Sequence, residues 1–217
     1  MAMELMDEHE QGERVRAWLR DNGGAILGGI AIGLAGLFGW NWWNNSQMEH
    51  RLDAATQYQA LVEAAESNNR DVFDSLLASL AEDYSNTPYA ALAALQAAEQ
   101  SLAAGDAEAA TGQLDQAVSL SRDPALTALA QVRLARVQLA AGRHEQALST
   151  LKALPQGVFV APAEELRGDV LVAMGRKDEA RGAFEAALAA LDETSPGRLM
   201  VELKLTDIAG ARAVTES

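Results

Sequence analysis

An uncharged stretch near the N-terminus constrains the fold of this chain more than any other feature. No charged residue occurs from Asn22 to Met48, although the 217-residue chain carries a formal net charge of -14. A helix from Gly24 to Trp43 is about 30 Å long at ~1.5 Å per residue, which matches the hydrocarbon core of a bilayer. The stretch therefore predicts a single membrane-spanning helix, placed at residues 22–45.

Two other interpretations of this stretch are less consistent with its residues. A phosphate-binding loop needs a preceding strand and a Gly-Lys-Ser/Thr sequence after the glycines, and neither is found here. A signal peptide ends on small residues at its cleavage site, whereas this stretch ends on Trp40-Asn41-Trp42-Trp43. Tryptophan rings favour the membrane–water boundary, so the end of the stretch is typical of an uncleaved anchor.

The positive charges beside the span predict its orientation. Arg14, Arg16 and Arg20 precede the span, and the first positive residue after it is Arg51. Because the positively charged flank stays in the cytoplasm, residues 1–21 are predicted to form a cytoplasmic tail and residues 46–217 to lie on the far side of the membrane. Within the tail, apolar residues 15, 18 and 19 fall on one helical face and predict a short interfacial helix in contact with the lipid bilayer.

Small residues recur at four-residue spacing along the span. Such rows let a second helix approach closely, but small residues are also common in membrane helices that have no partner. The pattern permits both interpretations. The candidate helix-contact positions are Gly24, Gly28, Gly29, Gly33 and Gly39.

The composition of the chain excludes several classes of function. The chain has no cysteine, so a disulfide framework, a zinc–thiolate site and a cysteine nucleophile are excluded. Its three histidines are far apart, and no metal-ligand spacing or catalytic motif is found. An excess of 31 acidic over 17 basic residues, without a basic cluster, argues against nucleic-acid binding. We therefore expect neither an enzyme nor a protein that holds a metal or another cofactor.

Proline and glycine divide the rest of the chain into repeated helical segments. Residues that start helices are predicted at Thr87-Pro88, Asp123-Pro124 and Ser195-Pro196, with Pro162 as a fourth, more weakly capped start. Helix ends are predicted at Gly105, Gly142 and Gly175, each followed by a helix whose first turns end on Ala110, Ala147 and Ala180.

The order of helix, glycine turn and helix indicates a tetratricopeptide-repeat-like solenoid, because such units recur at about 34–37 residues. Another divergent pair is expected over 53–66 and 71–83, and a single closing helix over Pro196–Ala213. The predicted fold class is therefore all-α, with one N-terminal transmembrane helix followed by a helical solenoid over residues 46–217.

A solenoid of this kind has a concave groove lined by the first helix of each pair. An apolar and mildly acidic groove suits an extended or partly folded polypeptide, or one helix of a partner. A carboxylate clamp is not expected, since these positions supply a single arginine. The alternative is that the residues only cover the surface. By motif position, the groove residues are Leu95, Glu99, Leu129, Val132, Arg136, Glu165, Asp169 and Val172.

Four stretches of the chain resemble a known protein family. They are "RAWLRDNGGAILGGIAIGLAGLFGWNWW", "YAALAALQAAEQSLAAGDAEAA", "VRLARVQLAAGRHEQALSTL" and "LRGDVLVAMGRKDEARGAFEAAL". In this order, from about Glu13 to Gly210, they are similar to the YfgM family of Gram-negative bacteria. The N-terminus of this chain is more acidic than that of the family.

The resemblance implies an ancillary subunit of the SecYEG translocon in the bacterial inner membrane, with its C-terminal domain in the periplasm. It also implies association with the membrane-anchored prolyl isomerase PpiD, transfer of exported polypeptides to chaperones, and a cytoplasmic tail that restrains a stress-response regulator. The expected function is a non-enzymatic adaptor that acts through its groove. The alternative is a structural scaffold of another inner-membrane envelope complex.

Overall fold

The computed structural model describes the backbone of residues 2–215 and, except at residues 2–11, 26, 30 and 209–215, their side chains. The described part contains no strand, which confirms the predicted all-α class. Residue 1 of the predicted tail and residues 216–217 of the predicted solenoid lie outside it. The helices are α1 (Ala2–Glu66), α2 (Arg70–Glu82), α3 (Pro88–Ala103), α4 (Ala107–Leu120), α5 (Pro124–Ala140), α6 (His144–Lys152), α7 (Val160–Ala173), α8 (Lys177–Ala189) and α9 (Arg198–Thr215).

The chain divides into two compact units, Met1–Leu52 and Asp53–Ser217. The boundary falls inside α1, which continues to Glu66 because no proline or glycine follows Gly39 in this helix. In the first unit, the helix is long and apolar enough to cross a membrane. Its large apolar side chains are exposed to the surroundings, as a lipid-facing span requires: Leu27, Ile32, Leu34, Leu37, Phe38, Trp40, Trp42 and Trp43.

The predicted starts of two solenoid helices are confirmed. Asp123 precedes α5, and its Oδ1 accepts hydrogen bonds from the backbone N–H groups of Ala125 (2.8 Å) and Leu126 (2.9 Å). Thr87 precedes α3, but its hydroxyl donates to the carbonyl of Tyr84 instead of accepting from α3. In both helices proline takes the first position, where its missing N–H costs no helical hydrogen bond.

Two other predicted helix starts are wrong by two residues. At Ser195-Pro196, the chain forms a turn in which the N–H of Arg198 donates to the carbonyl of Ser195, and α9 begins only at Arg198. At the other site, α7 begins at Val160, so Pro162 is its third residue. Proline is tolerated there because the first four N–H groups of a helix have no intrahelical partner.

The three predicted glycine turns are confirmed. Gly105, Gly142 and Gly175 have φ angles of 80°, 71° and 75°, in the left-handed region that residues with a Cβ avoid. In each turn, the N–H after the glycine donates to the carbonyl five residues earlier, as from Asp106 to Ser101 at 2.8 Å. The turn thus satisfies a terminal carbonyl of the first helix and reverses the chain into the second.

The core of the second unit consists of four apolar clusters, each built from three helices that follow one another in the chain. They join the end of α1 with α2 and α3, then α3–α5, α5–α7 and α7–α9. Neighbouring clusters share a helix, so the core is continuous along the solenoid. The largest fully buried side chains are Phe184, Leu61, Leu80, Leu114, Val170 and Val201.

Helices α7 and α8 approach each other closely at a glycine of α7. A Cβ added at Gly168 would lie 2.6 Å from Cδ1 of the Phe184 ring, closer than real Cβ atoms approach other atoms. The ring is fully buried, and several of its atoms would be in conflict with the added group. Gly168 therefore sets the distance between the two helices of this pair.

We predict that Gly168→Ala lowers the free energy of unfolding by about 1–3 kcal/mol, because the added methyl group overpacks the core. The control is Gly182→Ala in α8, where an added Cβ meets open space; this change is expected to raise stability by about 0.5–1 kcal/mol. Urea unfolding of the detergent-solubilised protein, followed by circular dichroism, measures both. Equal effects of the two changes would contradict the role assigned to Gly168.

Candidate functional site

The predicted groove positions separate into buried and accessible residues. Leu95 and Val132 are 4% and 3% exposed and belong to the core clusters of α3–α5 and α5–α7. These two side chains are therefore almost fully buried, although Leu95 still lines the cavity described next, and contact of either residue with a partner stays a prediction. Leu129 is half-buried against the first of these clusters. The physical reason is that α3 and α5 contain many alanines, so their larger side chains turn inward to fill the core.

The accessible positions on α3 and α5 surround a cavity of about 280 Å³, here called the α3–α5 hollow. Glu99 and Arg136 are exposed at its border. Arg136 makes no ion pair with any other residue whose side chain is described. The lining is otherwise mainly aliphatic, and it consists of Leu95, Ala98, Glu99, Leu102, Leu114, Arg133, Arg136 and Val137.

Arg133 is a residue of this hollow that the sequence patterns did not single out. Its Nη1 donates to Oε1 of Glu99, one repeat earlier in the chain. The pair links α3 to α5 at the surface. A sequence signal for it exists: the two opposite charges stand 34 residues apart, within the repeat period, on the first helices of consecutive pairs.

The α3 side of the hollow continues toward the end of α1. The ring of Tyr58 packs against Tyr89 with a centroid distance of 5.9 Å. Burial raises the pKa of the Tyr58 hydroxyl, the charge of Glu99 raises it further, and Arg133 partly offsets both. The Tyr58 hydroxyl is therefore uncharged at physiological pH.

Two of the remaining groove positions, Asp169 and Val172, line a second cavity of about 210 Å³, here called the α7–α9 hollow. Val172 is 42% exposed there and Asp169 is half-buried, while the Phe184 ring forms part of the floor. Glu165 lies one turn before Asp169 on α7. The lining is Asp169, Val172, Lys177, Phe184, Lys204, Asp207 and Ile208.

Lys204 of α9 binds both carboxylates of this second region. Its Nζ lies 2.7 Å from Oε1 of Glu165, 2.7 Å from Oδ2 of Asp169 and 5.9 Å from the centroid of the Phe184 ring. Burial lowers the pKa of Lys204, but the hydrogen bonds to Asp169 and Glu165 outweigh it, so the pKa is raised above 10.5. Lys204 thus holds the closing helix against α7, and both groove carboxylates are already partly neutralised.

Two larger cavities of the solenoid contain none of the predicted groove residues. One, of about 450 Å³, lies among the end of α1, α2, α3 and α4; another, of about 590 Å³, lies among α6, α7 and α8. At the latter site α6 has just nine residues. The two hollows between first helices are smaller, but they combine an apolar floor with charged borders.

The predicted contact positions in the span are accessible. A Cβ added at any of these glycines would meet no described atom within 4 Å, so there is room for another helix. Contact with such a helix remains a prediction. The positions are Gly24, Gly28, Gly29, Gly33 and Gly39.

Comparison with known proteins identifies relatives over nearly the whole chain. A family model described as a tetratricopeptide repeat-like domain matches residues 16–210. A protein of Escherichia coli K12 named "Ancillary SecYEG translocon subunit" is 33% identical over 207 residues, covering 95% of this chain and 99% of the relative. Proteins with the same name in Haemophilus influenzae and Neisseria gonorrhoeae are 31% and 24% identical, covering 84% and 94% of this chain and 89% and 98% of the relatives.

We predict that Lys204→Met lowers the free energy of unfolding by about 1–2 kcal/mol at pH 7, because Glu165 and Asp169 lose their shared partner. The raised pKa makes the Lys204 contribution full below pH 10.5, and it is lost as the pH rises through the higher value of the folded protein. The stability difference between wild type and variant should therefore be constant from pH 7 to about pH 10 and shrink above it.

Lys177→Met is the matched control, because Lys177 lines the same hollow but is exposed and makes no ion pair with a described residue. Urea unfolding at a series of pH values measures both variants. A loss at Lys177 as large as that at Lys204 would show that charge in general, not the contact with α7, is responsible.

Proposed function

This chain belongs to the family of ancillary SecYEG translocon subunits, and on that premise we propose that it is a membrane-anchored adaptor of the Sec protein-export channel. One observation carries the proposal: a helix fit to span a membrane occurs in the same chain as two apolar-floored hollows. The hollows lie along the first helices α3, α5, α7 and α9, whose common side is here called the repeat face. The adaptor acts by binding and not by catalysis.

The proposed orientation places residues 1–21 in the cytoplasm and residues 46–217 in the periplasm of the bacterial inner membrane. It is supported by the three arginines that precede the span and by a single one directly after it. The interfacial tryptophans at 40, 42 and 43 then lie at the periplasmic surface. Rings 40 and 43 contact each other edge to face at 5.8 Å.

The proposed mechanism is tethering. Anchoring the solenoid to the membrane confines its repeat face to the neighbourhood of the channel, which raises the effective concentration of that face around emerging polypeptides. An aliphatic side chain of such a polypeptide enters each hollow. Arg136 at one hollow and Asp207 at the other then contact charged groups of the segment between them.

The proposed partners are the SecYEG translocon, exported polypeptides and the membrane-anchored prolyl isomerase PpiD. The family resemblance adds a cytoplasmic stress-response regulator as a partner of the tail. In this scheme the chain passes emerging proteins to periplasmic chaperones. A structural scaffold of another envelope complex is the competing function, and it differs in having one fixed folded partner.

The proposed orientation can be tested with single cysteines, because the chain itself has none. A single cysteine placed at Glu185, an exposed site on α8, is expected to react with a membrane-impermeant maleimide in intact spheroplasts. A cysteine at Gly12 is expected to react only after the membrane is permeabilised. The reverse pattern would overturn the proposed topology.

The proposed binding of partners to the repeat face can be tested by crosslinking. A photo-crosslinking residue at Arg136 or Val172 is expected to capture translocon subunits, the isomerase and varied exported chains in living cells. The controls are Gln116 and Glu185, which are equally accessible but lie on second helices. Mass spectrometry of the products identifies the captured proteins. One unrelated folded partner would favour the scaffold, and equal capture at the control sites would contradict the assignment of the hollows.

A further inference from the structure

The last helix of the solenoid is apolar on two sides. Val201 and Ile208 are buried in the core cluster that α9 shares with α7 and α8, at 0% and 8% exposure. On another side of the helix, Leu199, Met200 and Leu203 are 65%, 55% and 52% exposed. These three residues are here called the α9 row. They are large apolar side chains that no described part of the protein covers.

The repeat pattern shows what the α9 row corresponds to in the other repeats. In α9, Val201 and Leu205 take the places that Leu166 and Val170 have in α7, one repeat earlier. On this register Leu203 takes the place of Gly168, the residue that contacts Phe184 of the second helix α8. Leu203 thus lies on the face on which α3, α5 and α7 receive α4, α6 and α8, and Leu199 lies one turn before it. In α9 this face has no second helix within the described residues.

The apolar side chains of the α9 row differ from the side chains that usually cover the end of a solenoid. A terminal helix normally presents a polar outer face, which keeps the end of the stack soluble. Contiguous exposed apolar residues instead mark an interaction site. We propose that the α9 row is the docking site of one amphipathic helix from a different protein, lying where the second helix of this pair would lie.

Size complementarity favours a different protein over a second copy of this chain. At the equivalent position, earlier first helices have Ala98, Ala135 and Gly168, and these small residues allow close approach. Leu203 is large, so the incoming helix must supply a small residue opposite it. Two α9 helices would instead set Leu203 against Leu203, and two chains of net charge -14 repel each other.

The charges around the α9 row indicate the charge of the incoming helix. Asp192 and Glu193 are exposed in the loop before α9, and Asp207 is exposed one turn after Leu203. Arg198, at the start of α9, is held by Glu202 at 3.0 Å and by the carbonyls of Leu188 and Leu191. The border of the row is therefore acidic, and a helix with lysine or arginine beside its apolar stripe complements it.

A synthetic helix tests this inference on the full-length protein in lipid nanodiscs. The probe is a fluorescent amphipathic peptide of leucine, alanine and lysine with alanine at the centre of its apolar stripe. A scrambled peptide of the same composition is its control. Fluorescence anisotropy measures binding, and the Leu199→Ser/Leu203→Ser variant is expected to bind the probe at least tenfold more weakly than wild type does. Val72→Ser, which alters an exposed apolar residue of α2 that lines neither hollow, should change the affinity less than twofold.

Exchanging the large and the small residue between the protein and the probe distinguishes docking on this row from non-specific hydrophobic binding. A probe with leucine in place of the central alanine should bind wild type at least fivefold more weakly, and Leu203→Ala should restore its affinity. A misfolded variant would not bind the probe more tightly, so restored affinity cannot result from loss of structure.

Three results would overturn the inference. The first is a wild type that binds the probe no better than the scrambled peptide, and the second is a loss of affinity in Val72→Ser that equals the loss at the row. The third is efficient disulfide-linked dimerisation of a Leu203→Cys variant in the membrane, since it would identify a second copy as the occupant. None of these results depends on what the hollows bind, so the inference fails or stands separately from the proposed function.

Discussion

Close contact between the two helices of each pair is the constraint on which the solenoid depends. The buried residues are largely alanine, which contributes little apolar area per side chain, so stability requires that helices approach until even small groups touch. Ala110, Ala147 and Ala180 are fully buried where second helices begin, and Gly168 admits the Phe184 ring. A pair on its own cannot bury both of its apolar sides, which explains why the clusters run on from one pair to the next.

The same constraint shapes the repeat face. Because the paired helices are rich in alanine, Leu95 and Val132 are needed to fill the core. Only the edges of such side chains are accessible on the repeat face, where they lie between charged groups. Ion pairs across consecutive first helices then tie the face together, from Arg133 to Glu99 and from Lys204 to Glu165. The face therefore has two apolar hollows with charged borders.

The sequence predicted those features of the fold that depend on local chemistry. Proline after Asp123 and the glycine at 105 act within a few residues of themselves, so helix order and turns followed from the pattern. Helix rotation depends on tertiary packing, which is why the burial of Val132 was not foreseen. The helix start predicted at Pro162 was wrong for another reason. Helix α7 starts earlier, after Phe159, which has a left-handed conformation that no sequence rule anticipates for a bulky residue. Lys204 could not be assigned without knowing that α9 returns to α7.

The succession of core clusters also has a consequence for how the protein acquires its structure. Each cluster draws mainly on three helices that are adjacent in the chain, so the sequence separation between contacting residues is small and the expected folding rate is high. Pairs can form one after another from the N-terminal side while later residues are still being synthesised. In that order α9 docks last, and until Val201 reaches Phe184 the growing end of the stack is an open apolar surface.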